Sequence, residues 1–293
     1  MLALRESCSQ LVQRITAALV PTNEPIAART SAKAPDHAIA DSAAPRDGRP
    51  APEIAHDGVL GSVWGAIATG LALFYTAVLA PPAALLAAAG QVGAVSWVSR
   101  LWGRLILATC GVKLEIEGLE RLPRAGSYVL VSNHQSMFDI FAILAHVPGE
   151  PRFVAKQELG RIPLIGFIMR RAGHVMIDRA RGGSSIRRAL DVARRGHPIV
   201  VFGEGHRFSD NRVHPFNDGA AWIGILTRLK CVPMAISGTA AFFPRRAKIV
   251  RPGRRMRIAI GEPIDTAGMR GADREALTRR LEDAVRALFH GGN

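Results

Sequence analysis

The sequence predicts a mainly buried, mixed α/β sheet flanked by helices and preceded by an N-terminal membrane helical hairpin. Three observations carry this. From Gly58 to Ser99 the chain runs 42 residues without one Asp, Glu, Lys, Arg or His, a composition that soluble domains rarely show and bilayer-embedded helices require. From Gly111 onward, short apolar runs alternate with helical periodicity, the pattern of a layered α/β domain. The hydrophobic fraction of 48% over 293 residues is enough for one large or two small cores and excludes general disorder.

Taken in order, Met1 to Val20 carries Leu4, Cys8, Leu11, Val12, Ile15 and Leu19 at roughly helical spacing, which predicts a short amphipathic helix. Arg5, Glu6 and Arg14 interrupt it too often for a secretory signal. Pro21 to Asp57 is Ala-, Pro-, Ser- and Asp-rich without an apolar period and reads as a disordered linker, so residues 1–57 form one N-terminal segment. Residues 58–110 read as the membrane-anchoring hairpin. Gly58 to Ala80 as a helix reaches about 35 Å, more than a bilayer core of about 30 Å. Pro81 and Pro82 are expected to break the helix, leaving Ala83 to Ser99 as a second, shorter segment. Trp64, Tyr75, Trp97 and Trp102 suit interfacial anchors, and Arg100 and Arg104 mark the cytoplasmic end.

Residues 111–293 read as the α/β domain. Strands are predicted around Val112, Leu114 and Ile116, then at Ser127 to Ser132, Arg152 to Lys156, His174 to Asp178, Pro198 to Gly203, Val232 to Ser237, Ala247 to Val250 and Arg255 to Ile260. Helices fit at Ile140 to Val147, Pro163 to Arg171, Gly183 to Arg195, Asp218 to Leu229 and Asp273 to Phe289. Ligands in such sheets gather at the carboxyl ends of strands, which is where His134, Lys156, Arg179 and Glu204 fall.

The formal charge of +14 calls for an anionic partner. Eleven Lys and Arg stand against three Asp and Glu between Pro151 and Val200, which points to anion binding in that block. Two Tyr in the chain, and no Arg-rich stretch interleaved with aromatics, argue against nucleic acid. Cys8, Cys110 and Cys231 lie far apart without a Cys-x-x-Cys pair or a His at metal spacing, so no metal site is expected. No Gly-x-x-x-x-Gly-Lys loop or dinucleotide fingerprint is present.

The chemistry centres on Val131 to Ile140, a strand-to-helix turn holding His134 and Asp139. Five residues apart on one helix, their side chains point roughly 140° apart. With His134 ahead of the helix and Ser136 as N-cap, the Asp139 carboxylate can fold back to the imidazole. The same Ser-x-x-Asp spacing also reads as a helix cap and nothing more.

Laid in order, four stretches carry a resemblance. They are Asn133-His134-Gln135-Ser136-Met137-Phe138-Asp139; Phe153-Val154-Ala155-Lys156-Gln157-Glu158-Leu159, continuing through Pro163, Gly166 and Gly173 to Ile177-Asp178-Arg179; Phe202-Gly203-Glu204-Gly205-His206-Arg207; and Val232-Pro233-Met234-Ala235-Ile236-Ser237-Gly238-Thr239. Over about Gly111 to Gly261 the chain resembles the lysophosphatidate acyltransferase family, glycerolipid acyltransferases with an HxxxxD motif. The resemblance implies acyl transfer from acyl-CoA or acyl carrier protein to the free hydroxyl of lysophosphatidate. His134 is then the general base, Asp139 orients it, and Lys156, Arg179, Glu204, Gly205 and Arg207 bind substrate. It further implies a membrane location with the catalytic domain on the cytoplasmic face, lysophospholipid and acyl thioester as partners, and no metal or resident cofactor. Gly203 and His206 stand where the family usually has Pro and Thr, and Asn217 and Asp218 stand in place of a basic pair. Gly203 is expected to loosen the turn. These departures leave open another lysolipid as acceptor, such as a lyso-ornithine lipid. A membrane-tethered basic protein that binds anions without chemistry is the reading from a different class.

Overall fold

The computed structural model describes residues 58–177, 183–244 and 247–290. The expected amphipathic and linker segments up to Asp57, and Arg179, lie outside the described residues. Helix α1 spans Val59–Ala88 and α2 spans Val92–Thr109, antiparallel partners tied by Trp102 Nε1 to Thr76 Oγ1 at 3.0 Å and by Trp64 Nε1 to the Thr109 carbonyl at 3.1 Å. The helix does not break at Pro81 and Pro82, which lie inside α1 with both residues exposed. Both lie on the exposed side of the helix, where their rings crowd no neighbouring element. The chain turns instead at Gly90, whose φ of +73° suits glycine. Arg100 and Arg104 also differ from expectation. Arg100 donates to the carbonyls of Val147 and Gly149, and Arg104 to that of Ala145, so both face the α/β domain rather than a headgroup layer, at the carbonyl-rich end of a domain helix.

That domain is a seven-stranded mixed sheet. Its strands are β1 Lys113–Glu117, β2 Val129–Ser132, β3 Arg152–Lys156, β4 Val175–Ile177, β5 Ile199–Phe202, β6 Cys231–Ser237 and β7 Arg255–Ile260. They lie in the order β1-β7-β6-β2-β5-β3-β4, parallel throughout except where β7 runs against β6. The helices are α3 Phe138–His146, α4 Ile165–Arg171, α5 Gly183–Arg194, α6 Gly219–Thr227, α7 Thr239–Phe242 and α8 Arg274–His290.

Strand alternation divides the core in two. Leu130, Val200, Val232, Met234 and Ile236 point to one face, where they meet Phe138, Ala142 and Ile143 of α3 together with Ile106, Leu107 and Cys110 from the hairpin side. Val129, Val131, Ile199, Val201 and Cys231 point to the other, under Ala189 and Val192 of α5, Ala220, Ala221 and Ile223 of α6, and Leu277 and Leu281 of α8. The hairpin therefore covers the α3 face and leaves α5, α6 and α8 on the opposite side.

The strand expected at Ala247 to Val250 is a loop. Pro244, Pro252 and Gly253 bracket it, and its backbone bonds go elsewhere: Val250 N donates to Thr69 Oγ1 at 3.0 Å and Arg251 N to the Phe242 carbonyl at 2.8 Å.

Candidate active site

Strand β2 lies between β6 and β5, so the chain leaving Ser132 emerges at the carboxyl end of central parallel strands, the place where α/β sheets present ligands. Asn133 fixes the exit. Its Nδ2 donates to the Ile236 carbonyl and its Oδ1 accepts the Ile236 N–H, both at 2.8 Å. That amide replaces the strand pairing that ends one residue earlier.

His134 and Asp139 meet, with Nδ1 to Oδ2 at 2.7 Å. The same Oδ2 accepts the backbone N–H groups of Gln135 at 2.7 Å and Ser136 at 2.9 Å. Helix α3 begins at Phe138 with Met137 in the capping place, so Ser136 is not the N-cap. The second residue of the helix, Asp139, reaches back and satisfies the amides ahead of it. Its carboxylate is completely buried. A buried carboxylate holding Nδ1 sets the imidazole tautomer with the proton on Nδ1 and the lone pair on Nε2. The ring lies flat on Phe202, centroids 3.9 Å apart and planes 13° from parallel, and keeps 15% of its side-chain surface exposed.

Register brings in the next block. Ser132 of β2 pairs with Phe202 of β5, so the loop after β5 leaves beside the His134 turn. Glu204 bridges it: Oε2 accepts the His134 N–H and Oε1 accepts the His214 N–H, each at 2.9 Å. The His134 carbonyl in turn accepts the Phe208 N–H at 2.9 Å, so both ends of the His134 peptide unit are held by this loop. Burial pushes the Glu204 carboxyl up to about 7 against the opposing pull of these two amides. A carboxyl raised on folding holds its proton more tightly in the native state, so its contribution to stability is present at low pH and declines as pH rises from about 4.5 through 7. The melting temperature of the wild type should therefore fall relative to Glu204→Gln across that window, by the equivalent of about 3 kcal/mol at most. A difference that stays flat in paired thermal melts would contradict this.

Gly203 does not loosen the turn. A Cβ there would lie 2.4 Å from Cδ2 of Phe216, so the aromatic ring fills the space that the missing side chain leaves. Gly203 N also donates to the Ser132 carbonyl at 2.8 Å. Gly203→Pro, which installs the family's usual residue, removes that donor and drives the ring out, and is expected to cost about 2–4 kcal/mol. Gly203→Ala combined with Phe216→Ala should recover much of the loss caused by Gly203→Ala alone, measured by thermal unfolding; strict additivity would contradict the contact.

Of the other expected substrate residues, Lys156 ends β3, half-buried. Arg207 is half-buried in the loop beyond β5. Gly205 takes φ of +66° and donates its N–H to the Phe202 carbonyl at 3.0 Å. Sequence reasoning named Asn133, Phe202 and Asn217 without a role in the site and did not place His214 there. Asn217 Nδ2 donates to the Glu204 carbonyl at 3.0 Å, and the His214 ring stacks on Phe208, centroids 3.8 Å apart, with Nε2 2.7 Å from Asp210 Oδ2. Among the described residues no group of His, Cys, Asp and Glu could hold a metal ion.

Comparison with known proteins bears on this arrangement. A family model described as Acyltransferase matches residues 113–237. The chain is 29% identical to the 1-acyl-sn-glycerol-3-phosphate acyltransferase alpha of Ovis aries, over 61% of this chain and 63% of that protein. It is 28% identical to a chloroplastic 1-acyl-sn-glycerol-3-phosphate acyltransferase of Arabidopsis thaliana, over 77% of this chain and 65% of the relative. The alignments thus span somewhat under two thirds of those relatives' lengths. The crystal structure of the 1-acyl-sn-glycerophosphate acyltransferase PlsC from Thermotoga maritima superposes with a TM-score of 0.65 at 27% identity, covering 79% of this chain and 94% of that one. The family model covers the first three ordered blocks and the fourth as far as Ser237, and the shared fold extends beyond it, so over this region the chain is similar to the 1-acyl-sn-glycerol-3-phosphate acyltransferases.

Proposed function

We propose that this protein transfers a fatty acyl group from a thioester to the free hydroxyl of lysophosphatidate, forming phosphatidate at a membrane. The observation that carries the reading is the His134 imidazole, fixed through Nδ1 by a fully buried carboxylate and left with Nε2 to accept a proton. A hydroxyl is a weak nucleophile until its proton is taken. His134 removes it as the oxygen attacks the thioester carbonyl, and Asp139 stabilises the imidazolium that forms. Collapse of the tetrahedral intermediate breaks the carbon–sulfur bond, and the departing thiolate takes the proton back from His134. The acceptor supplies the nucleophilic oxygen, so the scheme needs no protein nucleophile, metal or resident cofactor.

Lys156 and Arg207 are assigned to the acceptor phosphate, Arg207 as a bidentate donor and Lys156 as a point charge, with Arg179 and Glu204 as supporting site residues. Glu204 and Gly205 shape the turn between the basic residues and His134. The donor is acyl-CoA or acyl carrier protein. Helix α1 is long and apolar enough to cross a membrane, with 17% of its most apolar window buried inside the protein, and it seats the catalytic domain on the cytoplasmic face.

One observation favours a second acceptor. The two positions where relatives carry a basic pair are engaged internally here, Asn217 with the Glu204 carbonyl and Asp218 with Arg274 at 3.0 Å. An acceptor with a less anionic headgroup, such as a lyso-ornithine lipid, suits that change. The deciding experiment offers purified, detergent-solubilised protein acyl-CoA and acyl carrier thioesters against lysophosphatidate and a panel of other lysolipids. Phosphatidate as the fastest product supports the first reading, and preferential acylation of another lysolipid supports the second. No acylation by folded protein sinks both and leaves anion binding without chemistry.

A further inference from the structure

Between Phe242 and Arg255 the chain carries six Lys and Arg and no Asp or Glu. Arg245 and Arg246 lie outside the described residues; the described part runs from the site to the first helix. At one end Ser136 Oγ, in the turn that holds His134, donates to the Phe243 carbonyl at 3.1 Å. At the other the loop packs directly on α1. A Cβ on Gly65 would meet the Val250 carbonyl at 2.3 Å and Ile249 Cγ2 at 3.1 Å, and Thr69 Oγ1 accepts the Val250 N–H. The tip is apolar and open. Ile249 is 49% exposed, and α1, on which the loop packs at Gly65, also exposes Leu60, Val63, Trp64 and Ile67. Charge surrounds it: Lys248 and Arg255 are exposed, and Arg251 is half-buried. Arg255 also reaches Glu115 at 3.3 Å.

We infer that the loop bearing Lys248, Ile249 and Arg251 is a docking surface for anionic phospholipid headgroups, continuous with the apolar face of α1 and with the catalytic turn. An apolar residue ringed by cations, on a membrane-facing helix, matches an anionic bilayer surface: the side chain enters the interface while the charges stay at the headgroup phosphates. It is a poorer match to a soluble acidic protein, because the helix on which the loop packs exposes large hydrophobes rather than a polar rim. Its consequence is to hold the mouth of the site against the leaflet where an anionic acceptor is concentrated. The inference rests on the reading that the hairpin seats in a bilayer.

The test dilutes detergent-solubilised full-length protein into vesicles of phosphatidylcholine alone, or of phosphatidylcholine with phosphatidylglycerol, and measures bound fraction by flotation at low and high salt. Wild type should bind both and prefer the anionic vesicles, with the preference screened by salt. Each basic residue removed should weaken the anionic preference about fivefold, so Lys248→Gln with Arg251→Gln should lose most of it while binding neutral vesicles as wild type does. Lys248→Gln alone, at an exposed position, should lose a share of the preference without any change in folding. Arg279→Gln with Arg280→Gln, exposed on α8 across the sheet, should keep all of it. Equal binding to both vesicles, an undiminished preference in the loop variants, or the same loss in the α8 variant overturns the inference and leaves the hairpin reading standing. Failure of wild type to bind either vesicle overturns both.

Discussion

Replacing His134 with Ala is expected to lower turnover about a thousandfold or more, in a protein that stays folded and still binds its substrates. The size follows from the role. Proton transfer by a positioned base is worth about two to four orders of magnitude, and the two carboxylates that hold this turn are otherwise engaged: Asp139 is buried behind the ring and bound to two amides, and Glu204 is turned toward the backbone. Folding should survive because the His134 backbone bonds to Glu204 and Phe208 are kept by Ala, and Asp139, which loses the ring, keeps the Gln135 and Ser136 amides. The stack on Phe202 is lost, a contact of about 1 kcal/mol. Measured as kcat and KM separately, the loss should fall on kcat. A variant that turns over within a few-fold of wild type would remove His134 from the chemistry.

Asp139→Ala should damage both activity and stability. The carboxylate accepts three hydrogen bonds on one oxygen, from His134, Gln135 and Ser136, with no solvent exposure. Removing it strands two buried amides, at about 1–3 kcal/mol each, and frees the imidazole to adopt the other tautomer and turn away. Turnover should fall about a thousandfold and thermal unfolding should shift downward. Asp139→Asn separates the two effects. It keeps the volume and one acceptor oxygen, so stability should return in part while turnover stays low, because a neutral amide does not stabilise an imidazolium. Full recovery of turnover in the Asn variant would show that the residue is a helix cap alone.

The dyad was legible in the sequence because its partners are five residues apart and a strand-to-helix turn brings them together whatever the rest of the fold does. The sheet was legible too, since β2, β5 and β6 are short apolar runs between helical ones, with side chains that sort cleanly by alternation onto two faces. Partnerships across long separations were not. Glu204 finds the His134 amide only because β2 and β5 are neighbours in a register that pairs Ser132 with Phe202, and no local pattern states a register between strands about 70 residues apart. Arg100 and Arg104 looked like membrane-end markers; their true partners are carbonyls at the end of α3, more than 40 residues away. Pro81 and Pro82 misled for a different reason, because they lie on the exposed side of α1, where their rings crowd no neighbouring element. At Gly203 a smaller residue suggested looseness, but tightness is set by Phe216, which a local reading cannot place.

The most direct measurement is a single-turnover reaction of wild type and His134→Ala with lysophosphatidate and a fatty acyl thioester, resolving lipid and thiol products by mass spectrometry. The account predicts phosphatidate and free thiol in equal amounts from wild type, and neither from the variant on the same timescale. Wild type that releases thiol without forming phosphatidate, or a variant that forms it at the wild-type rate, would contradict it.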